Sequence, residues 1–180
     1  KNLVVGRDIR ISGSDLRTAL IRGITEAGAN VIDLGLCGTE MVYFATSHFH
    51  ADGGIMITAS HNPPEYNGMK FVRDHSKPIS ADTGLKTIEQ MCLKGEFTKS
   101  STPGTVQEIQ VAPDYVKHIL TYVDVTQLKP FKVVVNSGNG CAGPILDLLE
   151  PHLPFQMVKV HHEPDGNFPN GVPNPLEPQN

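Results

Sequence analysis

The stretch GGIMITASHNPPEYNGMKF, residues 53–71, decides how the chain is read. Residues 54–59 form a short apolar run of the length expected for a strand buried on both faces. The character then changes at once. Ser60, His61 and Asn62 are followed by Pro63, and a residue before proline is turned away from helical geometry. The strand must therefore run into a loop, at the sheet edge where layered α/β folds place their ligands. Asn67 and Gly68 are a turn signal that sends Lys70 back towards Ser60. One loop thus gathers a hydroxyl, an imidazole, an amide and an ammonium.

Upstream, Leu3, Val4 and Val5 read as a strand with Gly6, Arg7 and Asp8 as its exit. Ser14 is expected to cap a helix whose Leu16, Leu20, Ile24 and Ala27 share one face, with Gly28 as its stop. Residues 30–34 read as a second strand, so the chain opens β-loop-α-β. Residues 39–49 are expected to be helical, with Met41, Phe44, Ala45 and Phe49 on one side. Downstream, Ser80 can cap an amphipathic helix carrying Leu85, Ile88 and Met91. Residues 94–105, KGEFTKSSTPGT, read as a polar surface excursion. Val116, Ile119, Leu120 and Val123 recur at helical spacing and close the first unit near residue 124.

A second unit repeats that plan: a strand over 131–135, a glycine-rich loop over 137–143, a helix from Pro144 to about Leu153, and a strand over 155–160. The remaining residues, rich in Pro, Gly and Asn, read as irregular. The expected fold class is α/β, a layered mixed sheet with helices on both faces, followed by an incomplete second α/β unit of similar plan. The expected units are 1–125 and 126–180.

Composition narrows the function classes. With 15 Lys and Arg against 19 Asp and Glu, the formal charge of −4 provides no basic field for nucleic acid or anionic lipid. An anionic ligand must be held locally. Three cysteines, odd in number and far apart, argue against a disulfide framework or a zinc knuckle and fit a reducing cytoplasm. No apolar run is long enough for a membrane span.

Several motifs compete. Gly138, Gly140 and Gly143 spell G-x-G-x-x-G after a strand, with Glu163 further on, the outline of a dinucleotide fingerprint; the alternative is a tight strand-to-helix turn. His48, His50 and Asp52, and the run HHEPD at 161–165, invite a metal, but residues two apart on a helix diverge, and solvated polar residues are the plainer reading. For Ser60, the G-x-S-x-G elbow of a hydrolase is lacking, and the adjacent His61 is poorly placed as its base. A turn using Ser and Asn for local hydrogen bonds is one reading. The other is phosphoryl transfer: amide and ammonium neutralise phosphate oxygens, and Lys or His moves the proton of the attacking hydroxyl. A serine phosphoester has a poor leaving group, so Mg²⁺ is chemically expected beside it.

TASHNP at 58–63 followed by YNGMK at 66–70 resembles the phosphoserine loop of the α-D-phosphohexomutases. VGRDIRISG at 5–13 is similar to that family's early strand and loop. VVNSGNGCAGP at 134–144 and PDGNFPNGVPNPL at 164–176 resemble the start of its second domain. With GTEMVYFATSHF at 38–49, the combination looks most like the bacterial phosphomannomutase group. The resemblance implies that Ser60 carries the phosphoryl group and, once phosphorylated, supplies one Mg²⁺ ligand. It implies that His61 and Lys70 are the acid/base pair or its neighbours, and that Asn62 contacts phosphate. A hexose phosphate would be the substrate and a hexose 1,6-bisphosphate the activator, with the glycine loop as scaffold. It also implies a Tyr-Asp-x-Arg-Gly strand before Lys1 and an Asp-rich metal loop after Asn180, so these 180 residues alone are expected not to turn over.

Overall fold

A computed structural model describes residues 1–95 and 97–172, together with Asn174, Leu176 and Pro178. Strands β1 (Asn2–Arg7), β2 (Asn30–Leu36), β3 (Gly53–Ile57), β4 (Met69–Arg73) and β5 (Val106–Glu108) form one sheet in the order β4-β3-β1-β2-β5. All neighbours are parallel except β3 and β4. Helices α1 (Gly13–Glu26), α2 (Thr39–His48), α3 (Lys86–Lys94) and α4 (Ala112–Leu120) complete the first unit. The second unit is a parallel pair, β6 (Lys132–Asn136) and β7 (Gln156–Val160), joined by α5 (Ala142–Leu149). The expected mixed sheet, followed by a smaller unit of the same β-α-β plan, is what forms.

Alternation along the strands assigns the two faces. Val4, Leu34 and Met56 face α2, where they pack with Met41, Val42 and Ala45. Val5, Val31 and Ile57 point the other way, onto Leu16, Leu20, Ile21 and Ile24 of α1. Side chains of successive strand residues point to opposite faces, so the runs buried on both faces yield two cores from one sheet. Asp33, 1% exposed in β2, is held by a paired contact from Arg17 of α1, with Nε to Oδ1 at 3.0 Å, and accepts from the Gly35 amide. That contact raises the Arg17 pKa, the hydrogen bond to Asp33 being the main cause. It pins α1 to the sheet.

Some expectations shift. Helix α1 starts two residues early: Ser12 stands at its N-cap position and Ser14 lies inside, its carbonyl bonded by the Thr18 hydroxyl. Ile21 takes the place of the exposed Ala27 on the buried face, and the chain turns at Gly28 with φ 87°. Ser80 caps a wide turn, Ala81–Leu85, in a reciprocal box with Thr83, and α3 starts only after it. Val123 lies beyond the end of α4 and is exposed. Helix α5 begins at Ala142 rather than Pro144 and passes into the turn Glu150–His152. The surface excursion packs along the end of α1, where Ser100 and Gly104 amides bond to the Glu26 and Thr25 carbonyls. Within it Glu96, and within the irregular tail Pro173, Pro175, Glu177, Gln179 and Asn180, lie outside the described residues.

The two units meet around a cavity of about 330 Å³ lined by Leu34, Cys37, Met41, Cys141, Ile145 and Leu148, among others. Burial pushes the Cys141 thiol up to about 12 and raises Cys37 as well. Neither is a nucleophile near neutral pH, because the thiolate is the reactive form. Among the described residues, no helix is long and apolar enough to cross a membrane.

Candidate active site at the end of the third strand

Strand β3 is buried throughout, and the chain emerges from it at Thr58 and Ala59 into an exposed turn at Ser60, His61 and Asn62. Ser60 has φ 56°, in the left-handed region that non-glycine residues enter rarely and at a cost. Such a backbone persists only where the surroundings enforce it.

The enforcement comes from Arg10, in the loop after β1, whose side chain is buried. Its Nη2 donates to the carbonyls of Ser60 (2.9 Å) and Asn62 (2.6 Å), and Nη1 to those of Pro63 (2.6 Å) and Tyr66 (3.0 Å). Its Nε faces Asp8 Oδ2 at 3.3 Å, a charge contact without hydrogen-bond alignment. A guanidinium carries five N–H groups in a rigid fork, and here four of them collect one loop. Carbonyl oxygens held inward in this way are not presented to a phosphate.

Asp8 holds the other end. Its Oδ1 accepts from the Arg10 amide at 3.1 Å, and its Oδ2 from the Thr58 hydroxyl at 2.6 Å. Thr58 Oγ1 in turn accepts from the Ser60 amide at 2.9 Å. Thr58→Val keeps the shape but removes the hydrogen bond to Asp8 Oδ2 and orphans the Ser60 N–H. It is expected to cost about 1–3 kcal/mol, read by urea unfolding. A loss below about 0.5 kcal/mol would show that the relay contributes nothing.

Ser60, His61 and Asn62 share the exposed turn, whereas Lys70 lies on the edge strand opposite Met56, reached through a different loop from the expected Asn67-Gly68 turn. Neither Asn67 nor Gly68 has a positive φ, so the two-residue type I′ turn does not form. Residues 58–68 instead make one loop, closed by the Thr58 amide on the Gly68 carbonyl at 2.9 Å. Asn67 ties the loop to the start of α1 by donating to Ser12 Oγ at 3.0 Å. Lys70 then pairs with Met56 in the β3–β4 register, exposed on the edge strand. Asn62 donates one side-chain N–H to the Ala59 carbonyl at 2.8 Å. Arg10, Asp8 and Thr58, which do the positioning, were not expected from the sequence. The signal available was their place in VGRDIRISG and TASHNP, the two segments that meet here.

The glycine loop serves the chain itself. Its amides are spent internally: Gly138 on Asn136 Oδ1 (2.9 Å), Asn139 on the His161 carbonyl (2.8 Å), and Gly140 on the Ser137 carbonyl (2.9 Å). A Cβ on Gly143 would lie 2.1 Å from the His162 carbonyl oxygen. The glycines thus permit close packing, and the N–H groups that a pyrophosphate needs are occupied. The histidine clusters are engaged locally. His48 stacks on Phe44 at 4.8 Å, Asp52 accepts from the Asn2 amide, and His162 meets Asp147 at 2.9 Å. Among the described residues, no group of three or more His, Cys, Asp or Glu side chains is placed to hold a metal.

Residues 1–99 match the family profile described as phosphoglucomutase/phosphomannomutase, alpha/beta/alpha domain I, and residues 113–180 match domain II. A phosphomannomutase of Vibrio cholerae is 50% identical over 99% of this chain and 40% of its own length. A Xanthomonas campestris protein named phosphohexose mutases is 52% identical, again over 99% and 40%. Among solved structures, a phosphoglucomutase/phosphomannomutase family protein of Burkholderia thailandensis superposes with a TM-score of 0.89 at 35% identity, over 99% of this chain and 40% of that one. The chain therefore spans about 40% of the length of the curated relatives it matches. With both of its units matched in order, the chain belongs to the phosphoglucomutase/phosphomannomutase family.

Proposed function

We propose that the chain is the phosphoryl-carrying part of a phosphomannomutase, with Ser60 as the carrier. The observation that supports this most directly is Ser60 itself: exposed at a strand end, in a left-handed conformation, with its carbonyl tied to buried Arg10. Backbone strain gathered at one hydroxyl is what a reactive group held in place costs. The names of the relatives, phosphomannomutase at 50% identity among them, support a mannose phosphate as the substrate class.

In the proposed reaction the free hydroxyl of a mannose phosphate attacks the phosphorus of phospho-Ser60. The bond from phosphorus to Ser60 Oγ breaks, and the proton of the sugar hydroxyl passes to that oxygen through His61 or Lys70. The product is mannose 1,6-bisphosphate. After it turns over, the reverse step returns the other phosphate to Ser60, so mannose 6-phosphate and mannose 1-phosphate interconvert without hydrolysis. Asn62 is assigned to the phosphate oxygens through the N–H not bonded to Ala59.

Mg²⁺ is proposed as the companion of phospho-Ser60, whose oxygens would be one ligand. Its remaining ligands are not found as a group among the described residues. When bound, it would neutralise charge on the phosphoryl oxygens. These 180 residues alone are proposed to carry phosphate without turnover, in a cytoplasmic protein. Glucose phosphates are the second reading, because the family description joins both sugars.

The test is mass spectrometry of the peptide containing Ser60 after the protein meets glucose 1,6-bisphosphate. One added phosphoryl group on Ser60 is the expected result. An unmodified serine in the intact protein would refute the reading. Relative rates with mannose and glucose 1-phosphates then decide the sugar.

A further inference from the structure

We infer that Phe168, contributed by the second unit, is a positioning residue for the Ser60 loop, acting by covering the face of the Arg10 guanidinium. This rests on the carrier reading for its consequence, though not for its geometry. The Arg10 edge is spent on four loop carbonyls, and its Cζ lies over the Phe168 ring, 5.5 Å from the centroid and within cation–π range. Arg10 is 1% exposed and Phe168 is 7% exposed. Phe168 also has a positive φ, 48°, an uncommon conformation for so bulky a residue. Two left-handed residues from different units, Ser60 and Phe168, thus meet the same guanidinium.

The turn that carries Phe168 is anchored away from the loop it supports. The Phe168 amide donates to the Asp165 carbonyl, the Asp165 amide donates to the Asn139 carbonyl, and Asn170 Nδ2 donates to Asn139 Oδ1 at 2.9 Å. Asn139 belongs to the glycine loop and is itself buried. On the other side, a Cβ on Gly166 would lie 2.5 Å from the Ile9 carbonyl oxygen, so the turn sits directly on the segment leading into Arg10. The glycine loop, the 165–170 turn, Phe168, Arg10 and the Ser60 loop make one continuous path.

Physically, the ring keeps water off the charged side of four hydrogen bonds. A charge-assisted bond in a water-poor setting is stronger than one in contact with solvent. The element with two states is the loop: closed on Arg10 with Ser60 left-handed, or released and solvated. Docking of the second unit biases it to the closed state.

The test is amide hydrogen exchange in the intact protein. In the wild type the Asn62 and Tyr66 amides, bonded to the Ala59 and Pro63 carbonyls, report the closed loop. Phe168→Leu is expected to raise their exchange about tenfold, the size of a lost cation–π contact, while amides in β1 and β2 stay unchanged. Phe168→Tyr should restore protection. Asn170→Ala, a surface change that loosens only the anchor, should raise the same amides about threefold and guards against a misfolded Phe168 variant. Uptake of phosphate by Ser60 from glucose 1,6-bisphosphate should slow about tenfold in Phe168→Leu and recover in Phe168→Tyr. Exchange equal to wild type in Phe168→Leu and Asn170→Ala, or raised equally across the sheet, would overturn the inference. If wild-type Ser60 takes no phosphate, the carrier reading fails while the exchange comparison still decides the role of Phe168.

Discussion

Arg10→Met is expected to destabilise the protein by about 3–5 kcal/mol, the range for removing one partner of a buried charge pair. In a chain of this size that corresponds to a fall in melting temperature of roughly 10 °C. The reason lies in what is left behind. Asp8 loses its countercharge, with a side chain only 17% exposed, and the carbonyls of Ser60, Asn62, Pro63 and Tyr66 lose their shared donor. Those carbonyls can partly regain water as the loop opens, so the stability loss falls short of four separate charged hydrogen bonds. The rest appears as disorder in the loop and as loss of phosphate uptake at Ser60. Arg10→Lys separates charge from shape: it keeps the pairing with Asp8, yet an ammonium has three donors and no planar fork. It is expected to recover less than half of the lost stability and little of the phosphate uptake. Thermal unfolding of the three proteins, with phosphate occupancy of Ser60 measured beside it, decides the matter. A loss under about 1 kcal/mol for Arg10→Met, or full recovery by lysine, would show that the fork is not what holds the loop.

What could be read in advance divides by physical cause. Val4, Val5, Ile32, Met56 and Ile57 belong to runs that fill both sides of a sheet, and that pattern survives in the sequence because burial on both faces demands it. Ser60 was legible for a related reason: an apolar strand that stops at Ser-His-Asn-Pro leaves few places for its next residue except a sheet-edge loop. Arg10 was not legible. A single arginine in a polar loop looks like any solvated one until the fold brings four carbonyls of a segment some fifty positions away onto it. Strand β5 escaped because its three residues are all exposed and owe their form to pairing with β2. Strand β4 was not named in advance, although the Asn67-Gly68 signal marks the chain's return; the chain makes that return through a longer loop closed through Thr58. Phe168 was missed for the opposite reason to Arg10. Its Pro- and Gly-rich surroundings read as irregular, and irregular backbone does not announce what a side chain inside it will cover.

At position 60, stability and function should pull apart. Ser60 sits at φ 56°, where glycine is at ease and a side chain costs on the order of 1–3 kcal/mol. Ser60→Gly relieves that cost but makes the unfolded chain more flexible, which takes back about 0.4–1 kcal/mol. The net expectation is a protein about 1 kcal/mol more stable than Ser60→Ala and at least as stable as the wild type. Ser60→Thr keeps a hydroxyl but brings a β-branched side chain to a left-handed backbone, so it should be the least stable of the series. Phosphate uptake should follow another order: full in the wild type, slowed in Ser60→Thr, and abolished in both Ser60→Gly and Ser60→Ala, which lack the oxygen that takes the phosphoryl group. Denaturant unfolding and mass spectrometry of the same four proteins measure the two orders together. Had the loop been shaped for stability alone, glycine would serve better at position 60. A serine retained there at a cost in stability is explained by its hydroxyl, and a Ser60→Gly variant markedly less stable than the wild type would break that argument.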